Sequence, residues 1–143
     1  MGTERSSEHH RVCRLWTLGI GRGLAEKGAM MSDNYGLLAR KAQDHIQERI
    51  AKGHRYVTYG DLNTHLGVDR FTGQNALGRL VEINTEEGKP LWSAFVGYSD
   101  CRYGMKGWPG GAFYDCARDL GWEVSRGIRF AVEQREACRK LIE

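Results

Sequence analysis

Apolar side chains recur at the three- and four-residue spacing of an α-helix along residues 35–52. The stripe consists of Leu38, Ala42, Ile46 and Ile50. Gly53 follows it, and glycine is the residue that most readily ends a helix. The pattern therefore predicts a first amphipathic helix over residues 35–52.

Two further helical patterns follow, separated by a glycine. Thr58 begins the segment T-Y-G-D, in which a threonine cap precedes an acidic residue by three positions. Leu62 and Leu66 then share one face of a short helix that Gly67 ends. An amphipathic stretch covers residues 71–84, with apolar side chains at Ala76, Leu77, Leu80, Val81 and Ile83. Two helices joined by a short glycine-containing turn predict a helix-turn-helix.

The C-terminal half predicts one strand and two helices. Apolar residues occupy both faces of residues 91–98, which indicates a strand buried on both sides. The glycine-rich residues 99–111 indicate a long loop or hairpin wing. A short helix is expected over residues 112–120, and Ser125 caps a last helix with the apolar residues Ile128, Val132 and Leu141. The predicted fold is α+β: a winged-helix-like helix-turn-helix core with a small sheet, an N-terminal helix and two C-terminal helices.

The first thirty-one residues differ from the rest of the chain, because they show no sustained hydrophobic period. We expect residues 1–31 to form a poorly ordered leader, with the true translation start at Met30 or Met31. The alternative is a basic arm that orders on a partner. Residues 32–143 then form a single winged-helix-like domain.

Charge and composition limit the possible functions. The 143 residues are 41% hydrophobic and 27% charged with a net charge of +3, which is typical of a globular protein. Outside the first thirty residues, 16 basic side chains face 15 acidic ones, whereas duplex-binding domains usually carry a larger excess. No run of eighteen apolar residues predicts a membrane helix. Because no secretory segment is recognised, we expect a cytoplasmic protein with reduced cysteines.

The candidates for metal or acid–base chemistry are sparse. The four cysteines, Cys13, Cys101, Cys116 and Cys138, are far apart in sequence and form no C-x-x-C pair, so no zinc site is predicted. Asp61 is interpreted as a capping carboxylate, His54 as a loop residue and His65 as part of a polar helix face. We therefore expect no catalytic residue, no metal and no cofactor.

Polar residues along residues 71–84 and in the following loop are candidates for nucleic-acid contacts. Arginine, asparagine and glutamine are the side chains that bind base edges in the major groove, although they also occur on any solvated helix face. Basic and aromatic residues of the loop can lie on phosphates or stack on bases, or they can pack on the core. The candidates are Thr58, Tyr59, Arg70, Thr72, Gln74, Asn75, Arg79, Arg102, Lys106 and Trp108.

A series of short motifs over residues 57–112 resembles a known family. T-Y-G-D-L, L-G-V, N-A-L-G-R, P-L-W-S-A-F-V and W-P-G-G-A-F occur in the order found in bacterial and phage alkylguanine-DNA alkyltransferases and alkyltransferase-like proteins. The resemblance implies a winged-helix DNA-binding domain, in which residues 71–84 form the recognition helix and residues 99–111 form the wing.

The chain lacks the motif that carries the alkyl-transfer reaction in this family. The alkyltransferases carry P-C-H-R, with a cysteine that accepts the alkyl group, whereas residues 91–96 here contain neither cysteine nor histidine. Cys101 follows several residues later without an adjacent histidine to activate its thiol. The family's arginine that replaces a flipped base would fall near Phe71, with Arg70 adjacent and out of register. The sequence therefore argues against alkyl transfer.

Three functions follow from the sequence, in order of preference. The first is a non-enzymatic protein, bacterial or phage, that binds duplex DNA through the helix-turn-helix and wing. The second is a protein–protein interaction module on a winged-helix scaffold, which the near-neutral charge favours. The third is a small enzyme of unknown reaction with its site at the glycine-rich loop.

Overall fold

A computed structural model describes residues 29–101 and 105–142, with side chains from Asn34 onward. Its five helices are α1 (Ala29–Ala51), α2 (Tyr59–Leu66), α3 (Arg70–Glu86), α4 (Gly111–Asp119) and α5 (Ile128–Ile142). A 3-10 helix spans Trp92–Phe95, and two short strands, β1 (Val57–Thr58) and β2 (Val96–Gly97), pair in parallel with Val57 opposite Val96. The described part of the chain is therefore mostly helical with one small sheet.

The predicted helices are present, with shifted ends. The first begins six residues earlier than expected, so residues 29–31 belong to α1 rather than to the leader. The remainder of the predicted leader lies outside the described residues. The last helix begins at Ile128 rather than beside Ser125, because residues 125–127 form a turn that ends on Gly127 with a φ of 62°. All three apolar residues expected in this helix lie in α5, with Leu141 exposed near its end.

The predicted strand over residues 91–98 contains a 3-10 helix, Trp92–Phe95, and only the short strand β2, Val96–Gly97, at its end. The prediction that the segment is buried is confirmed, because every residue from Leu91 to Val96 is buried. Side chains accept hydrogen bonds from main-chain amides of this segment, which in a strand would bond to a neighbouring strand. The amide of Leu91 donates to Gln134 Oε1 over 2.9 Å, and the amide of Trp92 donates to Asn84 Oδ1 over 3.0 Å.

α3 lies at the centre of the fold, between two apolar clusters. Leu77, Leu80 and Ile83 pack with α1, α2 and the aromatic residues of the 3-10 helix. Val81 packs instead with α4 and α5. Burying one such side chain contributes about 1.5–3 kcal/mol, so the two clusters hold α3 along most of its length. Its N-terminal turn extends beyond them.

Candidate nucleic-acid interface

The turn between α2 and α3 is built by local hydrogen bonds. Thr58 caps α2, and its Oγ1 accepts the amide of Asp61 over 3.0 Å. Gly67 ends α2 in the left-handed conformation with a φ of 69°, which glycine adopts without a steric penalty. Asp69 then caps α3 by accepting the amide of Thr72 over 2.7 Å. These caps direct the chain from one helix into the next within three residues, as the sequence predicts.

The first turns of α3 present three exposed side chains. Arg70 and Gln74 are exposed four residues apart, and side chains at this spacing lie on the same face of a helix. Phe71 is 46% exposed beside them. Arg70 forms no ion pair with any residue that the structure describes. Asp69 stays ionised next to it, because hydrogen bonds from Thr72 lower the pKa of its carboxyl group.

Two of the predicted contacts on α3 have partners within the protein. Asn75 is fully buried, and its Nδ2 donates to the hydroxyl of Tyr35 on α1 over 3.2 Å. The side chain of Arg79 is mostly buried, and its Nη1 forms an ion pair with Glu82 one turn along α3. The prediction that Asn75 lies on a solvated face is wrong, because α1 packs along this side of α3, whereas the side chain of Arg79 stays 28% exposed.

The predicted contacts at the start of α2 are also engaged within the protein. Thr58 uses its hydroxyl group to cap the helix. The hydroxyl oxygen of Tyr59 accepts the amide of Gly110 over 3.0 Å, which ties α2 to the start of α4. Burial, assisted by the neighbouring Tyr98 and Tyr114, raises the pKa of Tyr59 to about 12, although the bond from Gly110 opposes the shift. Both residues therefore have structural partners.

Residues 105–108, at the end of the loop after β2, pack back onto the molecule. Gly107 donates its amide to Tyr98 O over 2.8 Å, and Tyr98 donates its amide to Trp108 O over 3.3 Å. Trp108 is half-buried, and the Cζ atom of Arg135 lies 3.9 Å from the centroid of its ring. Lys106 is exposed, whereas Arg102 lies outside the described residues. Of the two alternatives for Trp108, packing on the core is the one observed.

A polar cluster between α1 and α2 was not anticipated. His45 is buried on α1, and its Nε2 lies 3.0 Å from Asp61 Oδ2, while Arg49 Nη2 lies 3.2 Å from Asp61 Oδ1. The ring of His65 stacks on His45 with 3.9 Å between centroids. Asp61 therefore connects two helices as well as lying in the first turn of α2. No local sequence signal identifies His45, because its partners lie sixteen and twenty residues away.

The carboxyl group of Asp61 is held in its ionised form. Its partial burial opposes ionisation, but the hydrogen bond from His45 and the charge of Arg49 outweigh that effect and lower its pKa. This carboxylate stabilises the contact between α1 and α2.

A groove of about 510 Å³ separates the outer faces of α1 and α3. Leu37, which is 59% exposed, and Ile83 contribute its apolar surface. Its two arginines are already paired: Arg40 with Glu87 over 2.9 Å, and Arg79 with Glu82. The groove therefore presents mixed charge and no free cationic pair.

The described residues place further limits on the chemistry. Within them, no group of three or more His, Cys, Asp or Glu side chains is arranged to hold a metal ion. Cys101 is exposed, whereas Cys116 and Cys138 are buried free thiols. Over the same residues, no helix combines the length and the apolarity needed to cross a bilayer.

Comparison with known proteins adds no family. No protein-family model, curated protein or solved structure matches this chain. The function has to follow from the geometry of its own residues.

Proposed function

We propose that this protein binds duplex nucleic acid through the N-terminal turns of α3, without catalysing a reaction. The observation that carries the proposal is the pair Arg70 and Gln74, exposed four residues apart at the start of a helix that follows a tight turn. Both side chains can reach base edges or phosphates, and the N-terminus of a helix attracts phosphate. Lys106, exposed in the loop after β2, adds a phosphate contact.

The winged-helix relationship is part of the same proposal. The order of α2, turn and α3 supports it, as does the position of the loop after the 3-10 helix. The segment that aligns with the alkyltransferase motif is buried, and Ser93 Oγ donates to Leu77 O over 3.1 Å. The segment contains no cysteine, and its one hydroxyl group, that of Ser93, is buried and hydrogen-bonded. Both observations support binding without alkyl transfer.

A protein partner is the second candidate. Leu37 and Phe71 are large apolar side chains, exposed in the N-terminal half of α1 and in the first turn of α3. Aromatic side chains are enriched in protein interfaces, and a near-neutral surface suits a protein partner better than a polyanion. The glycine-rich loop supports the enzyme hypothesis less, because Gly107 and Pro109 are buried against the fold.

A salt titration of duplex binding tests the proposal. Wild type and Arg70→Gln/Gln74→Ala are titrated onto a fluorescent duplex, with affinity measured by anisotropy at several salt concentrations. We expect the double variant to bind several-fold more weakly. The slope of log affinity against log salt should fall by about 0.9 for each phosphate that the variant no longer neutralises.

Lys89→Gln is the matched control. Lys89 lies just beyond the other end of α3, about 25 Å along the helix axis from Arg70. This variant removes one positive charge from the same protein, so its affinity should stay close to that of wild type. If the wild type does not bind duplex at about 50 mM salt, where electrostatic attraction is strong, the proposal is wrong and the protein-partner function replaces it.

A further inference from the structure

Arg135 is a buried cation without a carboxylate partner in the described part of the chain. Among the described residues, its side chain donates to two main-chain oxygens: Nε to Ala94 O over 2.8 Å, and Nη2 to Gly107 O. The ring of Trp108 covers its guanidinium group. Carbonyl dipoles and an aromatic face stabilise a cation, but they do not cancel its charge.

Arg139 lies one turn further along α5 and places a second positive charge nearby. The Cζ atoms of Arg135 and Arg139 lie 5.6 Å and 5.2 Å from the centroid of the same ring, that of Phe95. Burial, together with the nearby charge of Arg139, lowers the pKa of Arg135 to about 10. Arg139 forms no ion pair with the residues described here.

The acidic residues of α5 leave these charges uncompensated. Glu133 is paired with Arg126 over 3.1 Å. Glu136 is exposed three positions before Arg139, and no ion pair between them occurs within 4 Å. Lys106 adds an exposed cation directly before Gly107, the residue that Arg135 binds. Lys106, Arg135 and Arg139 thus contribute three positive charges to this loop and α5, against the exposed carboxylates of Asp100 and Glu136.

Uncompensated charge under a low-dielectric surface raises the electrostatic potential outside it. A bound anion would lower the cost of burying Arg135. We propose that Lys106 and Arg139, with Arg135 beneath them, bind a backbone phosphate of the nucleic acid and form a second contact surface besides α3. Arg135 acts as a positioning residue, because it holds the loop through Gly107 and does not itself reach the phosphate. This inference rests on the proposed function.

The test compares Lys106→Gln/Arg139→Gln with wild type in the same salt titration of duplex binding. We expect affinity to fall about tenfold near physiological salt, and the log–log slope to fall by about 0.9 for each phosphate left without its cation. Lys106→Arg/Arg139→Lys keeps both charges and should bind within about twofold of wild type, because the neutralisation of a phosphate depends on charge. Arg129→Gln, which removes one exposed charge from the first turn of α5, is the matched control and should also leave the affinity unchanged.

The outcomes separate this inference from the proposed function. If Lys106→Gln/Arg139→Gln binds with the affinity and slope of wild type while Arg70→Gln/Gln74→Ala binds weakly, the second surface is wrong and the first stands. If the wild type binds no duplex, both are wrong.

A second arm uses inorganic phosphate at constant ionic strength to distinguish the two sources of phosphate. If inorganic phosphate competes with the duplex only weakly, and other salts compete equally well, the result supports the nucleic-acid backbone as the source of the bound phosphate. Saturable phosphate binding that only Lys106→Gln/Arg139→Gln abolishes, with unchanged duplex affinity, would show a site for free phosphate and overturn the inference.

Discussion

The guanidinium carbon of Arg135 lies 3.9 Å from the centre of the Trp108 ring, across 27 residues of sequence. This contact determines where the loop after β2 lies, because Arg135 also donates to Gly107 O and Ala94 O. One side chain of α5 thus connects the loop to the 3-10 helix. Trp108 is consequently held against the protein rather than presented to a partner.

Replacing Arg135 by lysine should destabilise the protein although the charge is kept. Lysine has no planar fork to donate to two carbonyl groups and stacks less well on a ring. Hydrogen bonds made by charged groups contribute about 1.5–3 kcal/mol each, so we expect a loss of about 2–3 kcal/mol in the free energy of unfolding. Urea denaturation measures it, with Arg129→Lys as the control on the same helix. A loss below about 0.5 kcal/mol would show that Arg135 does not hold the loop.

Gly97 should not tolerate alanine. A Cβ atom there would overlap the carbonyl carbon of Gly107 and the amide nitrogen of Trp108, both main-chain atoms that cannot rotate away. Overpacking of this kind costs about 1–3 kcal/mol or more. Gly60→Ala is the control, because its Cβ atom meets nothing within 4 Å and alanine is favoured in a helix such as α2. Thermal melting should show a lower Tm for Gly97→Ala and an equal or higher Tm for Gly60→Ala; the reverse order would contradict the packing at β2.

Stability should depend on pH through Asp61. The pKa of its carboxyl group is lower in the folded protein than in the unfolded chain, so its contribution is present above the unfolded value of about 3.9. That contribution is lost as the pH falls through the lower, folded value. Chemical denaturation from pH 7 to pH 3 should therefore show an acid loss of stability that Asp61→Asn reduces.

Asp115→Asn is the control for this pH dependence. Asp115 forms an exposed ion pair with Arg118 over 3.0 Å, and exposed pairs contribute little. Its profile should follow that of wild type. If the Asp61→Asn profile also does so, the carboxylate does not stabilise the α1–α2 contact.

No cysteine of the described region should accept an alkyl group from guanine. Cys138 is buried, and burial raises the pKa of its thiol to about 12, far from the thiolate form that acts as nucleophile. Cys116 is also fully buried, and its Sγ lies 3.9 Å from Gly78 O. Intact mass spectrometry after incubation with O6-benzylguanine should show no added mass. Iodoacetamide should label the exposed Cys101 under the same conditions, which controls for thiol integrity, and a benzyl adduct at any position would contradict the interpretation of the missing P-C-H-R motif.

Several features of the fold were determined by short stretches of sequence. Thr58 and Gly67 begin and end α2 at the predicted positions. Of the predicted stripe on α1, Ala42, Ile46 and Ile50 are buried as their spacing predicts, and Leu38 is partly exposed. Caps and helical stripes are readable because the interacting atoms lie within four residues of one another.

The candidate site was determined by tertiary contacts instead. Asn75 is buried by Tyr35, forty residues away, and Trp108 is held by Arg135 of the last helix. Residues 91–96 have the composition of a strand, yet Gln134 and Asn84 bind the main chain of this segment and permit a 3-10 helix. A polar or aromatic residue carries no local indication of whether it will meet water or a distant helix. Among the predicted contacts that the structure describes, Arg70, Gln74 and Lys106 are exposed, whereas α1 binds Asn75 and α5 holds Trp108. The packing of distant helices, and not the local sequence, decides which polar groups find partners inside the protein.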